Sequence, residues 1–335
     1  MMKEYLFGLI FLTFLSSSCI LNKKARIVLL PDTQTYSEKY PEIVHAQTDW
    51  ILKHKSNIDL VLQQGDLTQN NNEKEWNVIK SAFSKLDNHV PYVLAVGNHD
   101  MGSVPGKFAD IRDSRLYNQF FPHQEMSKLP AFGGAFESEK MDNAYYLLKT
   151  GSIKWLVLTL EFGPRNSVLD WASNLIDKYP ERTVIINTHA YMYSDSTRQD
   201  KNDYWRAQAY GIGKDTAENA VNDGEGIWQK LVSKHANIRF VFSGHVLNGG
   251  VGTLISVNNY GYPVYQMLAN YQEGVKGSKM GGNGWLRVLD MNFRKRTLIV
   301  KTYSPYLNQY NMNSDQEFII REIPFKSKKS NFKNL

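Results

Sequence analysis

At 335 residues the chain is long enough for one large domain or two ordinary ones, with ample material for a core. A hydrophobic fraction of 42% and an aromatic fraction of 13% exclude a disordered chain, and no strong internal repeat marks an array. The net charge of +6 is modest for this length, and its contribution from the terminal "REIPFKSKKSNFKNL" reads as a solvated tail over 321–335 rather than a nucleic-acid patch.

The chain opens with "MMKEYLFGLIFLTFLSSSCILNKK": a lysine near the start, an apolar run from Tyr5 to Leu15, then small residues before Cys19. The run is too short to span a bilayer and fits the apolar region of a secretory signal. With small residues ahead of Cys19, the segment resembles a bacterial lipoprotein signal, with Leu15 one place earlier than the usual leucine and Ser16 in its place. That resemblance implies a signal over 1–18, a lipidated Cys19 with a linker over 19–25, and an exported protein held at a membrane on the periplasmic or cell-surface side. A simple cleaved signal and a retained anchor are the other readings. Cys19 is the only cysteine, so no disulfide can form within the chain, and packing or metal must stabilise an exported fold.

From Arg26 strand-like and helix-like segments alternate. "ARIVLLPDTQ" is an apolar run ending at Asp32; "YPEIVHAQTDWILKHKSNI" has helical spacing with Pro41 in its first turn; "DLVLQQGDLTQNN" is a buried strand broken at Gly65 and Asp66. A helical "EKEWNVIKSAFSKLDN" leads to "VPYVLAVGNHD", a third strand broken at Gly97. After a long loop containing "FADIRDSRLYNQFFP", the runs "NAYYLLKTG" and "IKWLVLTLEF" read as a hairpin. The helix in "SVLDWASNLIDKYP" precedes "RTVIINTHA", and "GIWQKLVSKHAN" precedes "IRFVFSGH". Beyond Val251 the chain is mostly strands: "GTLISV", "GYPVYQMLAN", "WLRVLDMNF" and "TLIVKTYS". Such alternation predicts a single α/β domain over 26–320 with parallel pairing and added antiparallel strands, hence mixed sheets. The polar stretch between Ala190 and Asp223, rich in Tyr, Trp and Arg, is long enough to expect a functional or mobile loop.

Five strand ends place a polar residue able to bind metal just past an apolar run: Asp32, Asp66, Asn98 with His99 and Asp100, His189, and His245. In α/β sheets ligands bind beyond the carboxyl ends of the strands, so residues distant in sequence meet there. Each alone has a plainer explanation, a structural histidine or a turn-forming aspartate. Their convergence is the evidence.

"DTQ", "GDL", "GNHD", "NTH" and "SGH", in this order, resemble the calcineurin-like metallophosphoesterases, a superfamily that includes purple acid phosphatases. The resemblance covers about Arg26 to Asn270 and the final strands. It implies a two-sheet β-sandwich flanked by helices, hydrolysis of a phosphate ester, and two metal ions, manganese, iron or zinc, at one edge. Two cations roughly 3.5–4 Å apart neutralise the phosphoryl oxygens and provide hydroxide at neutral pH. On this reading Asp66 bridges the ions, while Asn98, His189 and His245 complete the second ion's shell. His99 is the expected proton donor to the leaving group with Asp100 holding its ring; a hydrogen bond from His99 to the phosphate is the alternative.

The first ion is where the chain departs from the family. Gln34 and Leu247 stand where many members carry histidines, leaving Asp32, Asp66 and Gln34, with water or a neighbour such as Asn248. An oxygen-preferring ion such as manganese or magnesium, a site filled only with substrate, and an empty first site are all open. Arg165, Arg198, Arg206 and the run from Asn270 to Gln272 are candidate substrate contacts, and Tyr191, Tyr193, Tyr204 and Trp205 are candidates for stacking. The expected substrate is a small phosphate ester, monoester or diester. No basic, aromatic-lined groove for nucleic acid is apparent. A lipid-anchored binding protein on the same fold, with one metal or none, is the competing reading.

Overall fold

The computed structural model describes residues 24–326, so the expected signal, the expected lipidation at Cys19 and residues 327–335 lie outside the described residues. β1 (Lys24–Leu30) leads through α1 (Gln34–Lys39) and α2 (Pro41–Lys53) to β2 (Leu60–Gln63), then through α3 (Glu73–Phe83) to β3 (Tyr92–Leu94). β1, β2 and β3 pair in parallel, as strands joined by helical crossovers do. α2 starts on Pro41 and buries Ile43, Val44, Gln47, Thr48 and Ile51, one stripe at helical spacing. α3 is capped by Asn72, whose side chain accepts from Glu75 N.

The span expected as a long loop instead holds α4 (Arg115–Phe120), α5 (His123–Met126) and β4 (Phe132–Ala135). Helices this short have little stability of their own. Packing supplies it, for Tyr117 and Phe121 set their rings against Trp76 of α3. β5 (Ala144–Thr150) and β6 (Ile153–Leu160) form the expected antiparallel hairpin. α6 (Asn166–Lys178), β7 (Thr183–Thr188), α7 (Gly224–Lys230) and β8 (Ile238–Ser243) follow, with β6, β7 and β8 parallel. β9 (Val251–Val257) and β10 (Pro263–Ala269) close that sheet, and the hairpin of β11 (Leu286–Asn292) and β12 (Thr297–Ser304) returns to the first, where β11 lies antiparallel to β1. Two short edge strands, β13 (Gln309–Asn311) and β14 (Phe318–Ile320), both pair with β12.

The result is two mixed seven-stranded sheets, β13-β12-β11-β1-β2-β3 with β14 beside β12, and β4-β5-β6-β7-β8-β10-β9. They pack face to face between helices, so the expected two-sheet α/β architecture is present. The pleat of β6 shows the layers: Trp155 and Val157 join the core shared with Val28, Leu62 and Phe240, whereas Leu156, Leu158 and Leu160 pack with Leu169 and Ile176 of α6.

The segment expected as a solvated tail stays packed through its first residues. Ile323 and Phe325 are buried, and the Phe325 carbonyl accepts from the Thr183 hydroxyl. Arg239 Nε donates to the Pro324 carbonyl at 2.7 Å. Two apolar side chains among the lysines outweigh the local charge once a core edge is available to cover them.

Candidate metal centre

The parallel strands of both sheets end at the same edge of the sandwich. β1 delivers Asp32, β2 delivers Asp66 and the turn after β3 delivers Asn98, while β7 and β8 deliver His189 and His245 from the other sheet. All five side chains are buried. Asp66 and His245 both have left-handed backbone, with φ of 49° and 74°. Such conformations cost about 1–3 kcal/mol each in non-glycine residues and recur where a side chain must be aimed rather than packed.

Donor atoms crowd around His189 Nε2. Asp66 Oδ1, Asn98 Oδ1 and His245 Nδ1 each lie 3.1 Å from it. Ligands at right angles around an ion at about 2.1 Å stand roughly 3.0 Å apart, so these atoms already have ligand spacing. Each imidazole is fixed from behind: His189 Nδ1 meets the Gln64 carbonyl at 2.8 Å, and His245 Nε2 meets the Trp205 carbonyl at 2.7 Å. A carbonyl holding the outer nitrogen leaves the inner nitrogen free to ligate. Asp66, His189 and His245 offer one ligand atom each, all within 4.8 Å of one another.

The electrostatics agree with a cation site. Burial pushes the Asp32 carboxyl up to about 8, with Asp66 adding to the effect against the opposing pull of His189. Burial would also raise Asp66, but the charges on His189, His99 and His245 hold it well below the usual carboxylate range. His189 is pushed up to about 9, burial being outweighed by Asp66, whereas burial and the neighbouring His189 charge press His245 down to about 3. A divalent cation satisfies these carboxylates as protons otherwise must. The donor set therefore fits a metal ion on the His189 side.

On the other side, Asp32 accepts the His245 backbone N–H at 3.1 Å through Oδ2 and the Gln272 side-chain amide at 3.0 Å. Gln34 is buried nearby, and its Nε2 donates to Gln69 Oε1 at 3.1 Å. Leu247 lines the cleft without offering a donor. Asn248 is exposed on the surface and does not line the cleft.

His99 keeps its place beside the cluster, but Asp100 does not hold its ring. The ring is set by the Gln69 carbonyl, 2.7 Å from Nδ1, and by Phe108 stacked on its face at 3.8 Å between centroids. Asp100 instead accepts from the backbone N–H groups of Leu67, Thr68 and Gly97 at 2.9–3.0 Å, tying the turn after β2 to the turn after β3. Burial, with the nearby Asp66 charge, raises it to about 6, opposed by those donors. It positions the loop that carries Asn98 and His99.

Above the cluster opens a cleft of about 370 Å³ lined by Gln34, Asp66, Asn98, His99, Trp205, Tyr210, Gln272 and others. None of the three candidate arginines lines it. Arg165 is committed to Glu161 at 2.8 Å and to Glu137, and Arg198 to Glu225 at 2.6 Å over the Trp228 ring. Each carboxylate partner outcompetes a distant ligand for a half-buried guanidinium. Tyr191 is buried against Gln266, and Tyr193 stacks on Trp205. The long loop after β7 thus serves the site through Tyr210 and Trp205, which line the cleft, and through the Trp205 carbonyl, which holds His245.

A model of the calcineurin-like phosphoesterase family matches residues 25–249. The uncharacterized protein YvnB of Bacillus subtilis (strain 168) is 27% identical over 292 residues, 85% of this chain and 20% of that protein, so the chain spans about a fifth of the curated relative it matches. Among solved structures, purple acid phosphatase PPD1 from yellow lupin (Lupinus luteus) seeds superposes with a TM-score of 0.53 at 16% identity, covering 90% of this chain and 55% of that one. GAP50, the anchor in the inner membrane complex of Plasmodium, superposes with a TM-score of 0.51 at 10% identity, covering 90% of both chains. At these identities the two superpositions establish a shared fold.

Proposed function

Because the chain belongs to the calcineurin-like phosphoesterase family, we propose that it is a metal-dependent hydrolase of phosphate esters. The observation that carries the reading is the convergence of Asp66, Asn98 and His245 on His189 Nε2 at the floor of an open cleft, with the His99 ring at its wall. Metal ions, when bound, supply charge for the phosphoryl oxygens and a nucleophile from water near neutral pH. Asp66 and Asn98 orient the phosphoryl group by fixing where that charge sits. His99, its Nδ1 tied to the Gln69 carbonyl, presents Nε2 to the cleft and, when protonated, donates to the leaving oxygen.

Turnover of nitrophenyl mono- and diesters by the chain from Ile20, supplied in turn with manganese, zinc and iron, tests the reading. A folded, metal-loaded protein that turns over neither ester class with any ion would leave the binding-protein reading standing. His99→Ala is expected to lower kcat about a hundredfold to a thousandfold with metal content unchanged. The loss should be greater for an alkyl leaving group, which needs a proton, than for nitrophenolate, which does not. Equal losses on both would reduce His99 to a phosphate contact.

Attachment to a membrane belongs to the same proposal. β1 starts at Lys24, at the pole opposite the cleft. There Phe293, in the turn between β11 and β12, sets its ring against Trp155 and Phe325. Exposed Lys149, Lys154, Arg294, Lys295 and Arg296 make this pole basic; Glu181 and Glu322 are acids nearby, and Asp59 and Asp290 are engaged by Arg26. A lipid on Cys19 would bring this face to the bilayer and leave the cleft facing away. Each lysine or arginine near an anionic surface contributes about 1 kcal/mol, so Arg294→Glu with Lys295→Glu should cut partitioning onto phosphatidylglycerol vesicles at least tenfold. Binding to neutral phosphatidylcholine should not change; equal sedimentation of both proteins with anionic vesicles would count against this orientation.

A further inference from the structure

Resting on the metal-centre reading, a second feature of the cluster concerns which ions it sorts. Its donors divide by chemistry. The His189 side has two imidazole nitrogens, His189 Nε2 and His245 Nδ1, 3.1 Å apart. On the Asp32 side the groups are oxygens and amides: Asp66, Gln34 and Gln272 line the cleft, and Asp32 is buried against the Gln272 amide. The remaining imidazole of the site, His99, has Nδ1 tied to the Gln69 carbonyl and Nε2 against the Gln34 amide nitrogen at 3.5 Å.

Two observations point to a ligand there. Gln34 is only 4% exposed, and its Oε1 is buried with no hydrogen-bond partner while its Nε2 is engaged by Gln69. A buried amide oxygen left unpaired costs roughly 1–3 kcal/mol unless something electropositive meets it. Gln272, 6% exposed, reaches Asp32 Oδ2 at 3.0 Å, and its own backbone N–H is pinned by Asn270 Oδ1 at 3.1 Å. A side chain ordered against one carboxylate oxygen is placed to offer its amide oxygen beside it after a rotation of the amide plane, since amide nitrogen and oxygen exchange without moving the stem. Leu247 closes the remaining side against Gly274.

Carboxylate and amide oxygens suit magnesium, calcium and manganese, whereas imidazole suits zinc and iron. We propose that the centre is asymmetric by design of its ligands: Asp32, Asp66, Gln34 and Gln272 form an oxygen-only subsite for a hard divalent cation, magnesium or manganese, beside a nitrogen-containing subsite for zinc or iron at His189 and His245. Gln272 stands in for a donor that Leu247 cannot provide.

The test is metal composition rather than turnover. Protein stripped with chelator and dialysed against zinc and manganese, each in tenfold excess, is analysed by elemental mass spectrometry and by manganese electron paramagnetic resonance. One zinc and one manganese per chain is the expected result. Gln272→Leu and Gln34→Leu should each weaken manganese at least tenfold and leave zinc in place, while Gln34→His with Leu247→His should exchange manganese for a second zinc. Gln272→Glu guards against a merely structural role: its added charge should tighten manganese and enlarge the rise in thermal midpoint on adding it. Two zinc ions per wild-type chain, or unchanged manganese affinity in Gln272→Leu, would overturn the proposal. One zinc and no manganese at any concentration would overturn it too, while leaving the metal-centre reading intact; no metal at either subsite would overturn both.

Discussion

Asp66→Asn should lower kcat/KM by about a thousandfold or more and remove at least one metal ion per chain, with little change in the fold. Asp66 Oδ1 lies 3.1 Å from His189 Nε2 and also accepts the His99 backbone N–H at 3.0 Å, so one carboxylate joins the ligands of one sheet to the proton-donor loop of the other. Asparagine keeps the shape and can keep the His99 contact. What it loses is a full negative charge in a site with almost no access to water, and the loss of charge stabilisation worth several kcal/mol translates to that rate factor. The backbone anchor survives, because Thr33 N donates to the Asp66 carbonyl, not to its side chain. Turnover within tenfold of wild type at full metal occupancy would mean that the cluster is not the reaction centre.

The five strand ends were legible because an apolar run leaves no doubt about the strand, and a polar residue at its end has few reasons to be buried except a shared site. Asp32, Asp66, Asn98, His189 and His245 announce themselves in that way. Their supports do not. The carbonyls of Gln64, Gln69 and Trp205 that hold the three histidines belong to the backbone, which any residue could supply, so no residue type marks them. Asp100 misled for a related reason. Adjacency to His99 suggested a ring partner, yet the turn puts its carboxylate against three backbone N–H groups on the far side. The arginines misled because ion pairing is decided by partners distant in space, such as Glu137 for Arg165. In the fold, the short elements were the ones missed: α4 exists because Trp76 offers it a surface, and β13 and β14 because β12 offers them an edge.

Gly97→Ala is the change expected to do the most damage with the fewest atoms. Gly97 has φ of −93° and ψ of 179°, ordinary extended backbone that alanine adopts without strain. Conformational freedom therefore does not explain the glycine; space does. A Cβ at this position would overlap both the Asp66 carboxylate oxygen and the Asp66 backbone nitrogen. A flexible side-chain tip could swing aside, but the nitrogen belongs to a turn that is itself held by Asp100 and by the bond from Thr33 N to the Asp66 carbonyl. Relief must come from separating the turns after β2 and β3, which is the separation Asp100 resists. Overpacking a rigid site costs about 1–3 kcal/mol, and the upper end of that range lowers the thermal midpoint of a domain this size by roughly 5 °C. The same displacement moves Asp66 away from His189, so metal affinity should fall by more than tenfold even in protein that remains folded. Calorimetric unfolding and metal titration on the one variant separate the two effects. Gly244→Ala serves as the partner experiment, because there the added Cβ meets the Asp32 carboxylate instead. If the centre is asymmetric, Gly97→Ala should release ions from both subsites, while Gly244→Ala should release mainly the one beside Asp32.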